Sequence, residues 1–159
     1  MFNLKDEFIY IIKKTHEWLE LPYGKDQLAI MMGTAATESH LGQKLRQSGY
    51  SMKSKGGAFG PWQQQLNSHD DIWRLVFFVH PKLCERVKQI NGCIPARDAL
   101  IGNLYYACAM ARLQYWRHPE PLPSSKDLEG QGRYYIKYFN CGGKGSVAKY
   151  VADYKQFVL

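Results

Sequence analysis

The sequence lacks the patterns that mark a structural metal site, a membrane span or an export signal. It contains no C-x-x-C pair, which excludes a zinc ribbon and a dithiol redox motif and favours buried free thiols at Cys84, Cys93, Cys108 and Cys141. No apolar run approaches the roughly 20 residues that span a bilayer. Residues 1–20 lack the basic, apolar and small-residue regions of a signal peptide. We therefore expect a chain synthesised in a reducing cytoplasm, without a transmembrane segment, a metal or a cofactor.

Acidic residues are scarce relative to basic ones. Asp and Glu number 14 and Lys and Arg 21, which gives a formal net charge of +7. Such a chain is attracted to polyanions, whether nucleic acid, anionic lipid or the acidic polymers of a bacterial wall. The basic residues are dispersed, however, and no helix-turn-helix or other nucleic-acid-binding pattern accompanies them. We expect no nucleic-acid partner and interpret most of these charges as solvated surface.

The length and composition fit one domain over 1–159. The chain is 45% hydrophobic and 14% aromatic, which is typical of a globular protein with a sizeable core. Residues 43–65 contain four glycines and Pro61, which predicts a long glycine-rich loop or a small β excursion. The rest predicts a mainly α fold, with helices at about 3–19, 25–41, 69–79 continuing towards 90, 96–116, 125–139 and 144–157.

One acidic residue interrupts an apolar helix face. Leu28, Met31, Ala35 and Glu38 recur at steps of three and four, so they share one side of the second helix. Burial and the negative end of the helix dipole, with Gly42 as the terminating residue, both raise the pKa of the carboxyl. A carboxyl protonated near neutral pH suits general acid catalysis, for example on a glycosidic oxygen. The alternative is a solvated Glu, which a shift of one residue in helical phase would produce.

The glycine-rich stretch 56–63 offers groups suited to a carbohydrate. Gly60 allows close backbone approach to a ligand. Phe59 and Trp62 provide flat apolar rings that can stack on sugars, and Gln63 can form hydrogen bonds with hydroxyl or amide groups. Each of these signals is weak when taken alone.

A second polar segment, residues 138–143, lies between the last two predicted helices. It reads Tyr-Phe-Asn-Cys-Gly-Gly and places Asn140 at a helix end. A short polar residue in that position is often only a helix cap, so the segment by itself leaves capping and ligand binding as alternatives.

Taken in order, these segments resemble the motifs of the lytic transglycosylases of the soluble, goose-type-lysozyme-like group. That family has a catalytic Glu followed by Ser at a helix end, then a G-L-M-Q loop, then an A-Y-N-A-G-x-G segment. Glu38-Ser39 matches the first motif, and Gly60 and Gln63 match the ends of the second. Asn140 and the glycine that follows Cys141 match the third. The resemblance covers about residues 25–157 and depends on order and spacing rather than on any single motif.

Two positions depart from the family pattern. Pro61-Trp62 replaces Leu-Met in the second motif, and Phe139 stands where the family has Tyr in the third. The missing hydroxyl would remove one hydrogen bond near the acid, unless the neighbouring Tyr138 supplies it.

The resemblance implies a lysozyme-like fold and cleavage of the β-1,4 bond between N-acetylmuramic acid and N-acetylglucosamine in peptidoglycan. Glu38 would protonate the glycosidic oxygen and then, as a carboxylate, take the proton of the muramic acid 6-hydroxyl while the 1,6-anhydro ring closes. The substrate-binding residues that we expect around it are Ser39, Phe59, Gly60, Trp62, Gln63, Tyr138, Phe139 and Asn140.

Two alternatives remain at this stage. One is a hydrolytic lysozyme of the same fold; an inverting one needs a second carboxylate about 6.5–9.5 Å away, for which Asp70 and Asp71 are the candidates after the loop. The other is a non-catalytic, wall-binding component of a phage particle, with virion proteins as partners. Synthesis in the bacterial cytoplasm without a signal peptide is compatible with phage delivery to the cell wall.

Overall fold

The computed structural model describes residues 4–46 and 57–159 and is mainly helical, as predicted. The helices are α1 (Leu4–Leu19), α2 (Lys25–Ser39), α3 (Leu66–Asp71), α4 (Phe77–Val79), α5 (Pro81–Asn91), α6 (Ala96–Gly102), α7 (Leu104–Trp116), α8 (Leu128–Tyr138) and α9 (Val147–Phe157). A π-helical turn, Ile72–Val76, joins α3 to α4. None of the helices in these described ranges has the length and apolar character that a bilayer span requires.

A short antiparallel hairpin lies within the segment predicted to be a long glycine-rich loop or a small β excursion. β1 (Ala58–Phe59) pairs with β2 (Gln64–Gln65). Arg46 forms an isolated antiparallel bridge to Phe59 on the other side of β1. The rest of the predicted loop, residues 47–56 with Gly56, lies outside the described residues.

Helix α7 is the central element of the core. Its residues from Tyr106 to Tyr115 are buried on all sides. The sequence predicted one helix over 96–116, which is wrong because the backbone is extended at Asn103. The Asn103 side chain accepts a hydrogen bond from the Tyr106 amide (3.0 Å) and donates one to the Ile90 carbonyl (2.9 Å). This cap offsets the helical hydrogen bonds that the break removes.

Glycine permits the close packing of α2 against α9. A Cβ atom at Gly33 would lie 2.1 Å from the Tyr150 hydroxyl, and one at Gly132 would lie 3.3 Å from the same ring. The Tyr150 ring is fully buried and stacks on Tyr135 of α8, with 5.3 Å between the ring centroids. Tyr150 therefore fixes the positions of α2, α8 and α9 relative to one another.

Helix α2 ends earlier than predicted. It stops at Ser39, and the first residue with left-handed backbone is His40 (φ 53°) rather than Gly42. The amides of His40 and Leu41 donate to carbonyls in the last turn of α2, at Ala36 (3.0 Å) and Ala35 (3.1 Å). These bonds satisfy carbonyl groups that would otherwise have no partner at the helix end.

The cysteines are free thiols, as expected, but they are not all buried. Cys108 is buried and Cys84 is half-buried, whereas Cys93 and Cys141 are exposed. The last two lie in turns, where neighbouring chain covers little of the side chain.

A buried histidine and a buried arginine contact each other between α1 and α7. Arg112 Nε donates to His16 Nε2 (3.0 Å), and His16 Nδ1 donates to the Ile12 carbonyl (2.7 Å). Both side chains are almost fully buried. Burial, together with the positive charge of Arg112, lowers the pKa of His16 to about 4, although the bond to Ile12 opposes this shift. His16 is therefore neutral at pH 7.

Acidification should destabilise the protein through His16. Below about pH 6.5 the unfolded chain binds a proton at His16 that the folded chain does not bind until about pH 4. The free energy of unfolding should therefore fall by on the order of 3 kcal/mol between pH 7 and pH 4. His16→Gln keeps a polar side chain and removes this titration. Urea unfolding at both pH values should show a smaller loss for His16→Gln than for the wild type, with exposed His80→Gln as control; equal losses would contradict the prediction.

Candidate active site

The last turn of α2 places Glu38 at the floor of a cleft. The next residue, Ser39, is fully buried and connects this turn to the loop before β2. Its hydroxyl contacts the Pro61 carbonyl (2.5 Å) and the Ala35 carbonyl (3.1 Å), and it accepts a hydrogen bond from the Gly42 amide (2.7 Å). Ser39 was expected to bind substrate, but its hydroxyl is occupied by backbone, so it acts as a positioning residue.

Two polar groups from the other end of the chain converge on the Glu38 carboxyl. The Tyr135 hydroxyl on α8 donates to Glu38 Oε1 (2.6 Å). Asn140 Nδ2 lies 3.4 Å from the same oxygen and 2.7 Å from the Tyr135 hydroxyl. The predicted proximity of Asn140 to the acid is present in the structure. Tyr135 was not predicted.

The surroundings of Glu38 act on its pKa in opposite directions. Burial raises the pKa of the carboxyl above its ordinary value and is the largest effect. The hydrogen bonds from Tyr135 and Asn140, and the positive charge of Lys149, lower the pKa and only partly offset burial. Lys149 is held by the Thr37 carbonyl (3.0 Å) and by Asp153. The carboxyl is therefore protonated at a higher pH than an exposed Glu, and its anion still has hydrogen-bond donors.

The cleft above Glu38 has a volume of about 570 Å³. Glu38 carries the only carboxyl group among the described residues that line it. The lining residues are Glu38, Lys44, Arg46, Ala58, Gln63, Gln65, Phe139, Asn140, Cys141, Gly142, Gly143 and Lys144.

Gln63 reaches this cleft from the hairpin turn. It has left-handed backbone (φ 46°), and its Nε2 donates to the Gly60 carbonyl (2.8 Å) and the Lys44 carbonyl (3.2 Å). Gly60 was expected to allow a ligand close to the backbone. Instead it allows the turn to pack on α6, because a Cβ there would lie 2.0 Å from the Leu100 carbonyl oxygen.

The expectation that Phe59 and Trp62 stack on sugars is corrected by their burial. Their side chains are 2% and 1% exposed. Trp62 Nε1 donates to the Met31 carbonyl (3.0 Å), and its ring lies 5.4 Å from that of Phe8. Removing an aromatic side chain of roughly 200 Å² from water contributes on the order of 5 kcal/mol, so these rings belong to the core.

The segment around the third motif divides into residues that face the cleft and residues that do not. Phe139 lines the cleft, and its ring stacks on Tyr115 with 5.3 Å between centroids. The Tyr138 hydroxyl instead donates to Glu120, and its ring stacks on His118, so Tyr138 is not among the cleft residues. The tyrosine hydroxyl that contacts the acid belongs to Tyr135 and not to Tyr138. Tyr135 and Phe139 are four residues apart on one helix face, which is the signal that could have revealed it.

Glycines after Asn140 leave the space that its side chain occupies. A Cβ atom at Gly143 would lie 1.7 Å from Asn140 Oδ1, and one at Gly145 would lie 3.1 Å from Asn140 Nδ2. The backbone amide of Asn140 donates to the Tyr135 backbone carbonyl (3.0 Å). The turn therefore sets the Asn140 side chain against Glu38 and Tyr135.

The acids considered as a second carboxylate lie elsewhere. Asp70 contacts His69 (2.8 Å) and Asp71 pairs with Arg74 (2.9 Å). Neither is among the described residues of the cleft. The part of the chain that the structure describes also holds no group of three His, Cys, Asp or Glu residues arranged for a metal ion.

Comparison with known proteins adds no relative to this picture. No protein-family model matches the chain, and neither the curated proteins nor the solved structures gave a significant match.

Removal of the Glu38 charge should stabilise the protein at neutral pH. Folding raises the pKa of Glu38, so between the unfolded and folded pKa values the folded chain binds more protons at Glu38 than the unfolded chain does. The free energy of unfolding therefore falls as pH rises through that interval. Glu38→Gln removes that dependence and keeps an oxygen that can accept from Tyr135.

We therefore expect urea denaturation to show a more stable Glu38→Gln variant at pH 7, with the difference shrinking as pH falls through the raised pKa of Glu38 in the folded chain and levelling off below the pKa of Glu in the unfolded chain. A variant that is less stable than the wild type at pH 7 by the same amount as at pH 3 would contradict the raised pKa.

Proposed function

We propose that this protein cleaves glycosidic bonds in peptidoglycan as a lytic transglycosylase of lysozyme-like fold, with Glu38 as the catalytic residue. The observation that carries the proposal is the half-buried Glu38 carboxyl, which lines a cleft and accepts a hydrogen bond from Tyr135 at 2.6 Å. The placement of Asn140 and Gln63 along the same cleft supports it, because both belong to the motifs that resemble this family.

The two opposing influences on Glu38 suit two successive proton transfers. Burial favours the protonated form, which donates its proton to the glycosidic oxygen while the bond between that oxygen and C1 of the muramic acid breaks. The resulting Glu38 carboxylate then takes the proton of the C6 hydroxyl while the oxygen of that hydroxyl bonds to C1. Tyr135 and Asn140 stabilise the carboxylate between the two transfers by hydrogen bonding.

The cleft favours ring closure over hydrolysis. An inverting hydrolase needs a second carboxylate to activate water, and a retaining one needs a carboxylate nucleophile about 5–5.5 Å from the acid. Within the described ranges, no Asp or Glu other than Glu38 lines the cleft. The 1,6-anhydro mechanism needs only one carboxyl, since the substrate supplies its own nucleophile.

Glu38→Gln should abolish lysis of purified peptidoglycan. The amide is nearly isosteric but cannot donate the proton, and general acid or base catalysis contributes about 10²–10⁴-fold. Mass spectrometry of the released muropeptides should show anhydro products from the wild type, each lighter by one water than the hydrolytic product. Glu129→Gln, which changes an exposed residue of α8, is the matched control.

Two results would change the assignment. Hydrolytic products that disappear in Glu38→Gln would make the protein a lysozyme. Binding to walls without release of muropeptides by the wild type would support the non-catalytic alternative, a wall-binding component.

Tyr135→Phe should lower activity by about tenfold and move the alkaline limb of the pH profile to higher pH. The lost hydrogen bond is worth on the order of 1 kcal/mol, and without it the Glu38 carboxylate is less stable and its pKa rises further. Tyr138→Phe, three residues away with its hydroxyl on Glu120, is the control and should leave the limb in place. If both variants behaved alike, Tyr135 would have no specific role at the acid.

A further inference from the structure

Three basic side chains line the cleft without an acidic partner. They are Lys44, Arg46 and Lys144. No ion pair joins any of them to an Asp or Glu within the described residues. Arg46 also borders a neighbouring depression with Asp98, and it forms no ion pair there. These cations are therefore available to a ligand in the cleft.

The three cations come from two separate segments of the chain, one on each side of the cleft. Lys44 and Arg46 are two residues apart in the segment beside β1, where the Arg46–Phe59 bridge and a bond from the Gly60 amide to the Leu45 carbonyl (2.8 Å) hold the backbone. Residues at this spacing in extended chain share one face. Lys144 comes from the turn that positions Asn140, so Glu38 and Asn140 line the same cleft as the three cations.

A fourth basic residue near Glu38, in contrast, is paired within the protein. Lys149 has two protein partners, the Thr37 carbonyl and Asp153, and is not among the cleft residues. The sequence around the cleft is also poor in acids, since no Asp or Glu occurs between Glu38 and Asp70. The positive charge of the cleft is thus a property of both walls.

We propose that the cleft binds the carboxylates of the stem peptides carried by muramic acid, so that the preferred substrate is a peptide-bearing glycan strand rather than a neutral sugar polymer. This inference rests on the proposed function and names its substrate more narrowly. Lysine and arginine bind carboxylates by charge-assisted hydrogen bonds, and a strand in contact with Glu38 would carry its peptides towards the rims of the cleft.

The shape of the site favours a carboxylate-bearing glycan over nucleic acid. Single-stranded nucleic acid binds by stacking successive bases on exposed aromatic rings, whereas Phe59 and Trp62 are buried and Phe139 is the one aromatic residue among the described residues that line the cleft. A cleft of about 570 Å³ is also too small to hold a duplex.

The test compares KM for three soluble glycan preparations. The first carries intact stem peptides, the second has its carboxylates amidated with carbodiimide and methylamine, and the third has been stripped of peptides by an amidase and retains only the lactyl carboxylate. The wild type should show the lowest KM on the intact strands, and a KM roughly tenfold higher on the amidated strands, with kcat less affected.

The variant Lys44→Gln/Arg46→Gln/Lys144→Gln should show the high KM on intact strands and no further change on amidated ones. Lys13→Gln/Lys126→Gln/Lys155→Gln is the matched control, because it removes the same charge from exposed positions outside the cleft and should retain the preference for intact strands.

Four outcomes would overturn the inference. The first is an equal KM on intact and amidated strands. In the second, the two triple variants give the same result. The third is an equal KM on intact and stripped strands, which would assign recognition to the lactyl group. In the fourth, an oligonucleotide competes as well as intact strands, which would indicate a general polyanion site. If the wild type cleaves none of the preparations, the proposed function fails. The inference is then tested separately by comparing the affinity of Glu38→Gln for intact cell walls with its affinity for amidated cell walls.

Discussion

The hydrogen bond between Tyr135 and Glu38 is the interaction on which the site depends. It joins α2 to α8 across 97 residues of sequence. It can form only because α2, α8 and α9 approach closely, and that approach depends on Gly33 and Gly132 leaving room for the Tyr150 ring. The core packing and the geometry of the acid are therefore the same structural problem. A change at either glycine would be felt at the carboxyl.

The polar groups around Glu38 do not simply neutralise the effect of burial. A carboxyl in an apolar site without donors would remain protonated and could act only as an acid. A fully solvated carboxyl would be ionised near neutral pH and could act only as a base. Burial combined with donors from Tyr135 and Asn140 leaves both forms accessible, with the protonated form favoured relative to an exposed Glu. The site therefore combines one carboxyl with two neutral donors, which contact the same oxygen of Glu38.

Periodicity was enough to predict the mainly α fold. It did not show that α2 is buried on all sides from Ala29 to Thr37, so that Glu38 lies at the end of a buried helix rather than on a single apolar face. The order of the motifs was enough to bring Gln63 and Asn140 to the same cleft. The break at Asn103 could not be read from the sequence, since the apolar pattern continues through it and the cap depends on a contact with Ile90.

The irregular segment was harder still to interpret. It has no period, so residue type alone could not show that Phe59 and Trp62 point into the core. Tyr135 was not predicted because it lies four residues before Phe139, the position that aligns with the tyrosine of the motif that the sequence resembles. The proximity of Lys44 and Lys144 could not be predicted, because they are 100 residues apart in the sequence and meet only where the two sides of the cleft come together in the fold.

The order of the parts along the chain has a consequence for folding during synthesis. The acid is synthesised early, at residue 38, whereas its donors follow at 135 and 140 and the ring that aligns their helices follows at 150. A nascent chain on the ribosome therefore carries Glu38 before the residues that donate to its carboxyl have been synthesised. The surroundings of the carboxyl are completed only when the last helix has emerged and docked, so a partly synthesised chain leaves Glu38 without the donors that stabilise its anion.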